Sequence, residues 1–128
     1  MSLLFVYGTL MQGYPENPFQ QWLQEHANFL GKGFTKGALY KVDYYPGMIH
    51  GDREVKGEVY QLHEPEESLR LLDEYEDYFP DRPEESLYIR KKGEVTLTDS
   101  RQSQQCWMYI YNKEIAEFPR YPNDEFTW

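Results

Sequence analysis

The apolar positions of this chain follow two different rhythms. Leu3-Leu4-Phe5-Val6 is an unbroken apolar run, as in a strand covered on both faces, and it leads directly into Tyr7-Gly8-Thr9-Leu10-Met11. A strand is expected from Leu3 to Tyr7. Asn17-Pro18 then predicts a helix start, an N-cap residue followed by proline at the first helical position. Phe19, Trp22, Leu23 and His26 follow at helical spacing, and this short helix ends before Gly31. Phe29 to Thr35, Ala38 to Val42 and Val55 to Leu62 read as strands. Glycine-bearing turns at Tyr45-Pro46-Gly47 and His50-Gly51-Asp52 separate them.

A second helix opens at Pro65, with Glu66 and Glu67 beside the positive end of its dipole, and runs to about Glu76. Asp77 to Glu85 holds two prolines and several acids and is expected to be an exposed loop. Ser86 to Lys91 and Val95 to Thr98 read as two strands or one bent strand, and Asp99 to Ser103 as a turn. Gln104 to Tyr111 reads as a strand in which Cys106, Met108 and Ile110 alternate with Trp107, Tyr109 and Tyr111. Residues 112–128 are expected to be an irregular tail with its aromatics packed on the body of a single domain spanning 1–128. Strands outnumber helices and come in hairpin-like pairs, without regular βαβ alternation. The predicted fold class is therefore α+β: a curved, mostly antiparallel sheet or small barrel carrying two packed helices.

The second helix contains an anomaly. Leu69, Leu72 and Glu76 fall on one stripe at 3.6 residues per turn. The leucines should face the core, so Glu76 should point inward with them. Burying a carboxylate costs several kcal/mol, of order 2–7 for a polar group and more for a charge, unless it is paired or neutral. The negative end of the helix dipole adds to the cost. Both effects raise proton affinity, and a carboxylate so poised suits general acid–base chemistry. Two plainer readings stand beside this one: Glu76 leans into water at a fraying helix end, or it pairs with Arg90. The other feature of note is the junction at Tyr7-Gly8-Thr9-Leu10. Gly8 brings bare backbone close to whatever binds there, with freedom to turn through positive φ, and successive N–H groups in such a turn can hold an anion such as a carboxylate.

Composition narrows the choices. Of the 128 residues 40% are hydrophobic, enough for one core, and the 12 tyrosines suit a polar-lined cleft as well as packing. A net charge of −9 argues against a nucleic-acid partner and against an anionic membrane surface. No apolar stretch is long enough to span a bilayer, and the first residues lack the pattern of a signal peptide. Cys106 is the one cysteine, so no intrachain disulfide is expected, and a cytoplasmic location follows as the default. His26, His50 and His63 are far apart and at no metal-ligand spacing. Neither a phosphate-binding loop, nor a dinucleotide fingerprint, nor a serine nucleophile elbow is present, so no cofactor is called for.

Several segments, in order, resemble the γ-glutamylcyclotransferase-like superfamily, most closely its small γ-glutamylamine-cyclotransferase and AIG2-like members. They are Val6-Tyr7-Gly8-Thr9-Leu10-Met11, Gly37-Ala38-Leu39-Tyr40 with Tyr45-Pro46-Gly47, Val55-Lys56-Gly57-Glu58-Val59-Tyr60, Leu72-Asp73-Glu74-Tyr75-Glu76-Asp77-Tyr78 and Leu87-Tyr88-Ile89-Arg90. The resemblance implies a curved sheet around a small cavity. It implies that Tyr7, Gly8, Thr9 and Leu10 hold the α-carboxylate of a γ-glutamyl group through backbone amides. Glu76 falls on the catalytic glutamate, and Tyr88 matches a tyrosine beside it. The implied reaction needs no metal or cofactor: it releases 5-oxoproline and a free amine from a small γ-glutamyl substrate. The loop between Glu76 and Tyr88 is long and acidic by comparison, and its segment Pro80 to Glu85 is expected to form a lid or edge. Two alternatives remain open. One is a non-catalytic module that binds an amino-acid-like ligand in the same cavity. The other is an enzyme for a bulkier substrate, which an open cleft rimmed by Tyr44, Tyr45 and Tyr78 would favour.

Overall fold

The structure, a computed structural model, describes residues 2–128. Strand β1 (Ser2–Val6) is followed by helix α1 (Gln20–His26), strands β2 (Ala27–Lys41) and β3 (Pro46–Leu62), and helix α2 (Pro65–Tyr75). Strands β4 (Tyr88–Leu97) and β5 (Ser103–Tyr111) complete the order. Among the described residues these strands close into a barrel in the order β1-β3-β2-β4-β5. Every pairing is antiparallel except the closure, where β1 meets β5 in parallel at Leu4 and Trp107. The α+β reading therefore holds, and the sheet takes its barrel form.

The apolar run of β1 is covered as its pattern requires: Leu4 and Phe5 are fully buried. Val55, Val59, Val95 and Cys106 join them in the barrel core. Val6 and Glu58 are opposite each other in the β1–β3 ladder. The glycine next to Glu58 has a packing reason, since a Cβ at Gly57 would overlap the Val6 carbonyl and the Phe5 ring. Closing the barrel there needs a residue without a side chain.

Three sequence readings change. The strands expected at 29–35 and 38–42 form one continuous β2, and β3 begins at Pro46 rather than Val55. His50-Gly51-Asp52 is not a chain reversal. The ladder steps from Gly37↔Arg53 to Ala38↔Ile49, so these three residues bulge from β3 while pairing resumes on either side. Likewise Tyr45-Pro46-Gly47 lies at the hairpin end, with Pro46 and Gly47 already paired to Lys41 and Tyr40.

Helix α1 starts two residues later than Pro18, after the Asn17 side chain accepts the Phe19 N–H at 2.8 Å. It is tied to α2 by Trp22 Nε1 donating to the buried Ser68 Oγ at 2.9 Å. The last residues carry no helix, yet they are firmly held. Asp124 is 2% exposed; its carboxylate accepts the Leu39 N–H and meets Arg53 and Arg120. Phe126 is buried beside Tyr14 and Tyr121.

Candidate functional site

A cavity of about 290 Å³ opens at one end of the barrel. Its walls are the loop after β1 (Tyr7 to Leu10), the β2–β3 hairpin end (Tyr44 to Pro46) and the end of α2 (Tyr75 to Asp77). Phe5, Val6, Leu87, Tyr88 and Tyr109 complete them. Thus Tyr7, Gly8, Thr9, Leu10, Glu76 and Tyr88, separated by up to 81 positions in sequence, line one space.

The loop after β1 is rigidly held around its own amides. Tyr7 is buried and donates its hydroxyl to the Tyr109 carbonyl at 2.6 Å. The Met11 N–H returns to the Gly8 carbonyl at 3.0 Å, and the Thr9 and Tyr75 hydroxyls lie 2.9 Å apart. The Gln12 N–H donates to Glu58. Among the described residues no protein group accepts the N–H of Gly8, Thr9 or Leu10. These three N–H groups belong to residues that line the cavity. Gly8 itself does not sit at positive φ, contrary to the expectation from sequence. Its need for glycine is close approach: a Cβ there would stand 2.9 Å from Cγ and Cδ of Pro46.

Glu76 is the C-cap of α2. Asp77 follows at φ 52, the left-handed position that usually takes glycine. The Tyr78 N–H then reaches back to the Asp73 carbonyl at 2.9 Å and the Asp77 N–H to the Glu74 carbonyl at 3.3 Å, the paired bonds of a Schellman ending. The helix therefore does not fray, and Glu76 is fixed on the stripe of Leu69 and Leu72. Residue Glu76 as a whole is half-buried, and its side chain lines the cavity. Burial, and secondly the charge of Asp77, push its carboxyl up from 4.5 to about 8. The dipole at the C-terminal end of the helix acts in the same direction. No hydrogen-bond donor or cation engages this carboxyl among the described residues. Arg90, the partner considered from sequence, binds Asp73 instead, Nε to Oδ1 at 2.8 Å.

Tyr88 is the first residue of β4, and its hydroxyl donates to the Pro46 carbonyl at 2.5 Å. Burial raises the hydroxyl pKa of Tyr7, Tyr88 and Tyr109, and the neighbouring Glu76 charge adds to each rise. These tyrosines stay neutral donors across the physiological range.

Tyr44 and Tyr45 stand at the cavity, as does Tyr75, which the sequence had not singled out. Tyr78 turns away, its ring 5.8 Å from the Arg90 guanidinium. The acidic segment Pro80 to Glu85 contributes nothing to the cavity wall. It is pinned from outside by the buried Ser86, whose Oγ accepts the Phe79 N–H at 2.8 Å. Tyr109 was also missed as a site residue: in the β5 pattern it is one aromatic among three. No group of three metal-ligating side chains exists among the described residues, and none of their helices is long and apolar enough to cross a membrane.

Comparison with known proteins shows the same fold and identifies the family. Residues 4–127 match the family described as gamma-glutamyl cyclotransferase, AIG2-like, and the chain belongs to that family of enzymes. It is 42% identical over 113 residues to a putative gamma-glutamylcyclotransferase of Vibrio cholerae, covering 87% of this chain and 83% of the relative. It is 33% identical over 115 residues to a gamma-L-glutamyl-butirosin B gamma-glutamyl cyclotransferase of Niallia circulans, covering 89% and 69%. Among solved structures, an AIG2-like protein from Mus musculus superposes with a TM-score of 0.77 at 27% identity, covering 99% of this chain and 88% of the other.

Proposed function

We propose that this cyclotransferase releases 5-oxoproline and a free amine from a γ-glutamyl-amine or γ-glutamyl-amino acid, with Glu76 as its general base and acid. One observation carries the reading: an unpaired carboxyl near pKa 8 shares a cavity with three free amides at Gly8, Thr9 and Leu10. The amides suit the substrate's α-carboxylate, much as a nest of N–H groups holds any small anion. Thr9 and Leu10 supply N–H groups, while Tyr7 and Tyr88 hold the walls between which the chain of the substrate folds back.

The chemistry then needs little more. The substrate's α-ammonium is inert until it loses a proton. Glu76, as carboxylate, takes that proton, and the freed amine attacks the γ-carbonyl to close a five-membered ring. Glu76 returns the proton to the departing nitrogen as the C–N bond breaks, and the ring nitrogen's second proton then passes by way of Glu76 to the released amine, which leaves as an ammonium. Attack is intramolecular, so orientation in a small cavity supplies a large share of the rate, up to about 7–11 kcal/mol in well-aligned systems. A base near 8 is far better matched to an ammonium than an ordinary carboxylate at 4.5. In this reading the leaving amine lies on the side of Tyr44, a cavity residue that is 68% exposed. The proposed setting is the cytoplasm, where the buried Cys106 stays reduced.

The test is incubation with a panel of γ-glutamyl compounds, dipeptides and amines, followed by mass spectrometry for 5-oxoproline. Formation of 5-oxoproline by the wild-type protein supports the reading. Silence across the panel, with a panel member still raising the melting temperature, would instead identify a binding module.

A further inference from the structure

Asp73 lies three residues before Glu76, one turn earlier on α2. Its carboxylate accepts two bonds from Arg90, Nε to Oδ1 at 2.8 Å and Nη2 to Oδ2 at 3.2 Å. The Tyr109 hydroxyl donates a third to Oδ1 at 2.7 Å. Both charged side chains are well covered, at 13% and 19% exposure. Meanwhile the Asp73 main-chain carbonyl takes the Tyr78 N–H that closes the helix. One residue thus fastens the end of α2 to β4 and β5 by its side chain and shapes that end by its backbone.

Arg90 is held on its other side by Trp107, whose ring centre lies 4.5 Å from the guanidinium. Tyr109 binds the same Asp73 carboxylate that holds Arg90 and lines the cavity together with Glu76, so one side chain links the ion pair to the space that Glu76 faces. Yet the groups that face Glu76 are Asp77 after the helix, Tyr75 on it, Tyr7 beyond β1, Tyr88 on β4 and Tyr109 on β5. None is a cation, and no Lys, Arg or His lines the cavity among the described residues. The nearby positive charge is already taken.

We propose that Asp73 is a positioning residue: it seats the end of α2 against the barrel and occupies Arg90, so that Glu76 meets the cavity without a counter-cation. This rests on the assignment of Glu76 as the base. A carboxylate paired with a guanidinium loses proton affinity, by about 1–3 units, and would be a poor acceptor for an ammonium proton. A buried pair that loses one member leaves the other charge seeking a new partner. Asp73→Asn keeps the shape and the Tyr109 bond but frees that charge.

The experiment is a carboxyl-carbon NMR titration of protein labelled with ¹³C-glutamate, in the wild type and in Asp73→Asn, with no substrate present. The Glu76 resonance, assigned by its loss in Glu76→Gln, is expected to move its midpoint down by roughly one unit in Asp73→Asn. The double variant Asp73→Asn/Arg90→Gln, with no cation to release, is expected to restore it. Should Asp73→Asn not fold, Arg90→Gln alone serves: the uncompensated Asp73 anion should raise the midpoint. An unmoved midpoint in the folded variant, with only the melting temperature lowered, reduces Asp73 to a structural strut and overturns the proposal. Turnover of L-γ-glutamyl-L-alanine by Glu76→Gln is followed in parallel. Wild-type turnover there defeats the base assignment itself, whereas an inactive Glu76→Gln with an unmoved midpoint defeats only the role of Asp73.

Discussion

The main-chain N–H of Gln12 donates to a carboxylate oxygen of Glu58 across 2.7 Å. Glu58 belongs to β3 and is 8% exposed, so the bond ties the end of the site loop to the barrel wall from within. Charge-assisted bonds of this kind contribute about 2 kcal/mol. Replacing Glu58 with alanine should loosen Gly8 to Leu10 without touching Glu76. The expected result is a rise in KM of about tenfold, the equivalent of some 1.4 kcal/mol, with a smaller change in kcat. Steady-state kinetics on a panel substrate will check it; a fall in kcat at constant KM would place the effect elsewhere.

Glu76 should also leave a mark on stability. Its carboxyl titrates near 4.5 when the chain is unfolded and near 8 when folded. Folding therefore favours the protonated form. The associated stability is complete below about pH 4.5 and is lost as pH rises through 8. Glu76→Gln removes a group that must be buried charged at high pH. Its melting temperature should exceed that of the wild type by at least a few degrees at pH 9 and match it near pH 4. Thermal melts across that range will show whether the two curves converge in acid.

Gly8 and Pro46 are in direct competition for space. A methyl group at residue 8 must displace the proline ring from 2.9 Å. Pro46 in turn carries the carbonyl that Tyr88 binds. Gly8→Ala should therefore cost about 1–3 kcal/mol, the usual penalty of overpacking, and weaken substrate binding by shifting the wall opposite Glu76. Chemical denaturation and KM together will test this. A neutral substitution would mean that the hairpin end is more compliant than its packing shows.

Tyr88→Phe removes the partner of the Pro46 carbonyl inside a covered wall. An acceptor left unsatisfied in such a place costs about 1–3 kcal/mol. The variant should melt several degrees lower and keep measurable turnover, because the hydroxyl of Tyr88 is already committed to the protein. Complete loss of turnover in a folded Tyr88→Phe would assign that hydroxyl a direct part in the reaction.

The sequence announced the inward face of Glu76 because a helix stripe is local: three positions within eight residues suffice to define it. The apolar run of β1 was equally plain. Asp73, in contrast, carries no local sign of burial. Its partners Arg90 and Tyr109 lie on β4 and β5, 17 and 36 residues away, and only barrel closure brings them together. The bulge at His50-Gly51-Asp52 has turn composition, and composition does not distinguish a chain reversal from residues expelled while a ladder continues. Gly8 shows a further limit. Glycine is required there by contact with Pro46, a long-range reason, rather than by its own backbone angles. Tyr75 and Tyr109 looked like ordinary aromatics because their part in the site comes from which way the closed barrel turns them.

Removing one carboxylate oxygen's charge at residue 76 tests the account most directly. Glu76→Gln should still bind a γ-glutamyl substrate from the panel, seen as an unchanged dissociation constant to within a few-fold by calorimetry. Its release of 5-oxoproline should fall by at least about a hundredfold, the scale of general acid–base catalysis. Release of 5-oxoproline at the wild-type rate by this variant would contradict it.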